Sequence, residues 1–253
     1  MLFALLRPGK LISLILLAAI VGGGWWGWNR LHRSEAASES AARAEVSRSS
    51  GGAAGVPKPG VYRFESRGDE RIGVGPLTLG RQLPTRALVV VTPRGRALRE
   101  ITTRYSKDHA ESWRTESDSA GVKGVYRTLE IGTIGYTKKV TGRVVPPVLL
   151  WPRKPKEGQR WEGQYTVAGI VFRRSSTVVG RSSIDIAGHS VKVFEIRTTE
   201  TVTGTLHGDE DIRQWWAPSL GLPVRVEWHR NLDGVIVNIV SDTLTLENVE
   251  PLR

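Results

Sequence analysis

The chain has no cysteine in 253 residues. That excludes disulfides, thiolate nucleophiles, cysteine-ligated zinc, iron–sulfur clusters and a lipidated-cysteine anchor. It also has no G-x-S-x-G elbow and no Walker loop. Gly73-Val74-Gly75 and Gly121-Val122-Lys123-Gly124 lack the strand–loop–helix setting that phosphate binding needs. The histidines, His32, His109, His189, His207 and His229, never recur at a metal-binding spacing. Acidic charge is in deficit, with 25 Asp and Glu against 36 Lys and Arg, a net +11. What remains is ordinary for a folded protein: 40% hydrophobic and 24% charged, with 28 glycines and 13 prolines spread along the chain.

One uncharged run stands out, Leu11 to Trp28, preceded by Arg7 and Lys10. It approaches the roughly 20 apolar residues of a spanning helix. Trp25, Trp26 and Trp28 cluster at its far end, where indoles favour the membrane interface. We read residues 1–10 as a cytoplasmic stub and 11–28 as a transmembrane signal anchor. A cleaved signal peptide would use the same segment, with Gly22 to Gly24 as its small-residue zone. A large domain following a short stub places that domain outside the cytoplasm of a single-pass cell-membrane protein. Residues 29–56 are rich in Ala, Ser and Gly and read as a flexible linker, with a frayed helix over Glu35 to Val46. Residues 57–253 form one extracytoplasmic domain, long enough for one core.

That domain has a period of two. Val224, Val226 and Trp228 alternate with Arg225, Glu227 and His229, and Val235, Val237 and Ile239 continue the pattern. Leu244 and Leu246 fall on the other parity, which predicts a bulge near Ser241. Leu88 to Val91 and Thr198 to Thr205 read as strands. Turns are expected at Pro93-Arg94-Gly95, Gly188-His189, His207-Gly208 and Asp233-Gly234, and at Gly68 within Arg67-Gly68-Asp69. Asp108 to Thr115 is the best short helical stretch, with Trp113 facing the core. The fold class is mainly β: about ten to twelve strands in one curved antiparallel sheet, an open barrel or a sandwich.

Three features suit a domain of this plan. Pro155-Lys156-Glu157-Gly158-Gln159-Arg160-Trp161 leads into a strand pair, Ala187-Gly188-His189-Ser190-Val191-Lys192-Val193 forms a turn and strand, and Trp215-Trp216-Ala217-Pro218-Ser219-Leu220-Gly221-Leu222 closes the set. The layout resembles P-x-x-G-x-x-W … A-G-x-x-x-x-V … W-x-A-P-x-x-G-L domains of unknown function from extracytoplasmic bacterial proteins. It is similar in general plan to lipoprotein-carrier folds, and Gly60-Val61-Tyr62-Arg63-Phe64 resembles the opening of uncharacterised actinobacterial exported proteins. Members often carry a cysteine pair or a lipidated cysteine, and this chain has neither. The carrier-like plan implies a curved sheet around an apolar cavity that accepts an acyl chain.

No catalytic or metal site is expected, and no cofactor. His207 with Asp209, Glu210 and Asp211 reads as a solvated charged turn. Glu195, Glu200, Glu227 and Asp185 read as solvent-facing strand residues. The basic clusters Arg153-Lys154-Pro155-Lys156, Lys138-Lys139 and Arg173-Arg174 lack the interleaved aromatics of single-strand binders. They suit lipid headgroups or an anionic envelope polymer rather than nucleic acid. Pro146 to Pro152 should lie at an edge or in a loop. Expected cavity-lining residues are Trp161, Tyr165, Val167, Phe172, Trp216 and Trp228. The expected role is non-catalytic binding of a lipid or other amphipathic envelope molecule. The alternatives are an envelope adaptor without a small ligand, or a hydrolase on an envelope polymer.

Overall fold

The computed structural model describes residues 34–49, 57–74, 77–95, 98–133, 136–234 and 237–252. The expected stub and span, residues 1–10 and 11–28, lie outside the described residues. Among the described residues no helix is long and apolar enough to cross a membrane. A helix, α1 (Glu39–Arg48), precedes thirteen strands: β1 (Gly60–Val74), β2 (Leu77–Gln82), β3 (Arg86–Pro93), β4 (Leu98–Arg104), β5 (His109–Ser117), β6 (Gly121–Thr133), β7 (Tyr136–Pro152), β8 (Arg160–Val167), β9 (Ile170–Ile186), β10 (His189–Thr203), β11 (Leu206–Ala217), β12 (Leu222–Gly234) and β13 (Val237–Leu246).

From β3 onward each strand pairs antiparallel with the next, and β13 returns to pair with β1. The sheet is therefore a closed barrel rather than the open barrel or sandwich expected. β1 makes closure possible by its length. Gly60–Glu65 pairs with β3, Asp69–Val74 pairs with β2, and the opposite edge from Phe64 to Gly73 pairs with β13. Twelve strands form the ring, and β2 is an extra strand beside the second half of β1. We call the end carrying the β5–β6, β7–β8 and β11–β12 connections the upper end. The β4–β5, β8–β9 and β10–β11 connections mark the lower end.

Several local expectations change in this frame. Within Asp108 to Thr115 the chain is strand from His109 onward, not helix. His109 and Trp113 are four apart, a spacing that shares a face in a helix and in a strand alike, so periodicity could not separate the two. Gly68 is not a turn but sits in mid-β1 opposite Asp242, where a Cβ would collide with the backbone of Ser241 and Asp242. His207-Gly208 lies within β11, and the chain turns earlier, at Gly204. β13 pairs with β12 and β1 without a bulge: Val240, Asp242, Leu244 and Leu246 face inward, while Val237 and Ile239 are half-buried on the outer face. Pro146 and Pro147 do interrupt pairing, since Val145–Thr166 is the one register pair joining β7 to β8.

Part of the expected linker is fixed rather than free. β3 is buried on both faces, so Leu88 and Val90 need an outer cover. α1 supplies it. Ser38 caps its N-terminus by accepting from the Ala41 amide, and Ala42 packs against Val61, Leu88 and Val90. The small alanine side chain lets the helix backbone come close. Glu39 pairs with Arg63 at 2.6 Å and Glu45 with Arg104 at 2.7 Å, on the partly exposed rim. Such rim pairs contribute at most about 1 kcal/mol each, so the apolar contact dominates. At the lower end the Ser34 amide donates to the Gln82 carbonyl at 3.2 Å, and the Lys107 amide donates to the Glu35 carbonyl at 2.8 Å.

Ala42→Glu should release α1, because it forces a carboxylate and its bulk into a closed apolar contact. Hydrogen exchange over residues 39–48 should rise to unstructured rates while the barrel stays protected. The closing seam has its own pH signature. Ser66 Oγ donates to the Asp242 carboxylate at 3.1 Å, yet burial pushes that carboxyl up from 3.8 to about 6. Across that window the folded chain keeps a proton that the unfolded chain releases, so stability falls as pH rises through it. The loss is on the order of 3 kcal/mol between about pH 4 and pH 7. Urea unfolding of Asp242→Asn should lack this slope.

Candidate functional site

The middle of the lumen is charged, and strand register explains how. Arg174 on β9 lies opposite Glu200 on β10, which lies opposite Glu210 on β11, which lies opposite Arg230 on β12. All four side chains point inward and are buried. Glu200 and Glu210 are direct cross-strand neighbours, an arrangement that repels unless a cation intervenes. Arg127 of β6 is that cation, reaching across from the far wall. Its Nη1 donates to Glu200 Oε1 at 2.6 Å and to the Tyr165 hydroxyl at 2.7 Å, and its Nη2 lies 3.5 Å from Glu210 Oε1. Its Nε donates to Glu111 of β5 at 3.0 Å. Arg230 Nη2 closes the circuit, at 2.9 Å from Glu111 and 3.0 Å from Glu210.

Aromatic faces hold these guanidiniums in place. Arg127 lies between the rings of Trp113 and Phe172, at 4.8 and 4.7 Å, and Arg230 lies over Trp228 at 4.2 Å. The three carboxyls respond differently to one environment. Burial opposes ionisation of Glu111, but Arg127 and Arg230 outweigh it and hold the group down to about 2. Burial likewise opposes ionisation of Glu200, and Arg127 and Arg174 override it. Glu210 goes the other way: burial raises it, and the attraction of Arg230 and Arg127 does not compensate. Towards the lower end a second group repeats the theme, with Glu70 bonded to Arg81 at 2.5 Å and to His109 Nδ1 at 3.0 Å.

Above the charged belt lies a cavity of about 110 Å³. Its walls are largely apolar, including Phe64, Ile101, Leu150, Trp151, Val226 and Leu244, and its polar floor includes Glu111, Arg127 and Arg174. Trp151 is fixed by stacking on Trp216, with centroids 4.3 Å apart, and by its indole donating to Gln214 at 3.0 Å. The cavity runs from Leu222 and Pro223, which follow the β11–β12 turn at the upper end, to the ring of Tyr105 from the β4–β5 connection.

Of the six residues expected to line a cavity, Trp228 does so. Trp216 stands behind Trp151. Tyr165 and Phe172 stack at 5.0 Å beneath Arg127, Val167 is packed near the lower end, and half-buried Trp161 donates to the Leu149 carbonyl at 3.1 Å. The adjacent Trp215 and Trp216 take opposite faces. Trp215 is covered on the outside by the guanidiniums of Arg213 and Arg225 at 4.8 and 4.7 Å. Glu195 and Glu227 are also outside, both near Arg213, whereas Glu200 is in the lumen. His207, Asp209, Glu210 and Asp211 share one strand rather than a loop, and Glu210 alone of these turns into the belt. Among the described residues no group of His, Asp and Glu is placed to hold a metal ion. The belt escaped the sequence reading because a charge on a strand reads as solvent-facing. Parity was the available signal: Glu200 shares its face with Thr198 and Val202, both fully buried.

Removing Arg127 leaves buried carboxylates without their main partner, at a cost of about 3–5 kcal/mol. Urea unfolding of Arg127→Met should show this loss at neutral pH and a smaller one at pH 5, where the orphaned carboxyls take up protons. Tyr165→Phe should cost about 1–2 kcal/mol by the same measurement.

No protein-family model and no curated protein matches the chain, and no family is assigned. Two solved structures show a loose likeness. A hypothetical lipoprotein, YmcC, from Escherichia coli (K12) is 14% identical with a TM-score of 0.34, over 74% of this chain and 86% of its own. A DUF1329 family protein from Desulfovibrio piger is 7% identical with a TM-score of 0.19, over 82% of this chain and 91% of its own. Similarity at this level carries no argument about function.

Proposed function

We propose that this chain is a non-catalytic binding domain, tethered to the cell membrane through residues 11–28 and held outside the cytoplasm, that takes the apolar part of an amphipathic envelope molecule. The observation that supports this reading is the cavity, which is apolar on its walls and charged on its floor. Its volume approaches that of an engineered cavity of about 150 Å³ that admits benzene. A ring or a short chain fits; a whole diacyl lipid does not. Burial of roughly 100 Å² of apolar surface gives about 2.5 kcal/mol. Millimolar binding needs about 4 kcal/mol, so part of the affinity must come from polar contacts. The exposed Arg153, Lys154 and Lys156 at the upper end suit contact with headgroups or an anionic envelope polymer.

One observation favours the adaptor reading instead: most of the lumen is filled by packed side chains. The hydrolase reading draws less support. Glu200 and Glu210 face one another, but both are engaged by Arg127 and neither lines the cavity.

Native mass spectrometry of the full chain, purified gently from its own host and released from lipid nanodiscs, separates these readings. An amphipathic adduct is expected on the wild type. It should be lost in Val226→Phe, which fills the cavity. A clean apo mass would overturn the binding reading in favour of the adaptor, and an adduct retained by Val226→Phe would place the ligand elsewhere.

A further inference from the structure

Two cations of the belt border the cavity, Arg127 and Arg174, and Arg174 is the less satisfied of them. Arg230 also leaves Nε and Nη1 unpaired but does not line the cavity. Arg174 is 7% exposed, and its guanidinium borders the cavity. Its Nε has no hydrogen-bond partner. Its nearest acid is Glu200, whose Oε2 lies 3.5 Å from Nη1 and already accepts from the Tyr165 hydroxyl at 2.7 Å. A guanidinium carries five N–H donors in a planar fork. Burying such a group with one long contact is costly, and an oxyanion in the cavity would relieve that cost. Arg127, by contrast, is saturated by Glu111, Glu200, Glu210 and Tyr165.

We propose that Arg174 forms the head-group subsite of the cavity and that the ligand is a small carboxylate whose ring or short chain lies against Leu150, Trp151 and Val226. This rests on the cavity-binding reading above and adds the chemistry of the head. The charge balance of the belt agrees. Arg127, Arg174 and Arg230 face Glu111, Glu200 and Glu210, and burial drives Glu210 toward its neutral form. Arg174 itself has one long contact to Glu200 and an Nε without a partner. A cationic head would meet the guanidiniums of Arg127 and Arg174 at the cavity floor. A neutral alcohol could accept one hydrogen bond but could not engage the fork with two oxygens.

The test compares heads on a constant ring. The full chain in lipid nanodiscs is titrated with p-bromobenzoate and with p-bromobenzyl alcohol, using empty nanodiscs as blank. Bromine in the cavity quenches the Trp113, Trp151 and Trp228 that line it. The benzoate should bind at least about tenfold more tightly than the alcohol, the equivalent of one charge-assisted hydrogen bond. Arg174→Gln should remove that difference and leave weak quenching by both probes. Equal binding of the two probes to the wild type overturns the carboxylate subsite and leaves the cavity reading standing. Quenching by neither overturns both. The wild-type comparison decides the matter even if Arg174→Gln does not fold, and Arg174→Lys, which keeps the charge without the fork, should retain part of the preference.

Discussion

Arg127 sits where β5, β8, β10 and β11 converge on the lumen, and the barrel's shape makes such a residue necessary. A ring of twelve strands encloses more width than one of eight, which aliphatic side chains can fill by themselves. Here the centre is bridged by long, flat groups: guanidiniums lying on indoles and phenyl rings, with carboxylates between them. Arg127 joins the wall that bears Glu111 to the wall that bears Glu200 and Glu210. Without a cation there, the direct opposition of Glu200 and Glu210 would weaken the β10–β11 pairing.

A charged centre also explains why space remains above it. Guanidinium–carboxylate networks need fixed directions and cannot relax into every gap as methylenes do. The apolar side chains at the upper end pack against a floor whose height is set by hydrogen bonds. A cavity at this boundary is therefore a result of joining two kinds of packing. The connection of β7 to β8 through Val145 and Thr166 leaves one stretch of the wall with little backbone pairing, and there the barrel relies on side chains such as Trp161, bonded to the Leu149 carbonyl.

The strand content, the antiparallel order and the turns at Gly95 and Gly188 were legible in the sequence, because alternation and left-handed glycines are local signals. Closure was not, since the pairing of β13 with β1 joins residues at opposite ends of the domain. The run Leu88 to Val91 announced a strand but not that both its faces are buried, because its outer cover is a polar, Ala-rich helix with one buried residue, Ala42. Of the candidate lining residues Trp228 borders the cavity, while Tyr165 and Phe172 serve as the platform under Arg127. The belt stayed hidden because parity shows that two residues share a face, and only the register between strands shows that Arg174, Glu200, Glu210 and Arg230 form one row.

The docking of Ser34 and Glu35 at the lower end has a consequence for orientation. Residues 29–33 alone separate this fixed point from the apolar run at 11–28, and the six steps from residue 28 to residue 34 reach no more than about 22 Å. A bilayer crossed by that run would lie under the lower end of the barrel, beside Lys107 and the β4–β5 connection. The cavity reaches Leu222 and Pro223 at the opposite pole. On the proposed anchoring, the barrel would stand on its membrane with the Leu222 end of the cavity turned away from the leaflet beneath it.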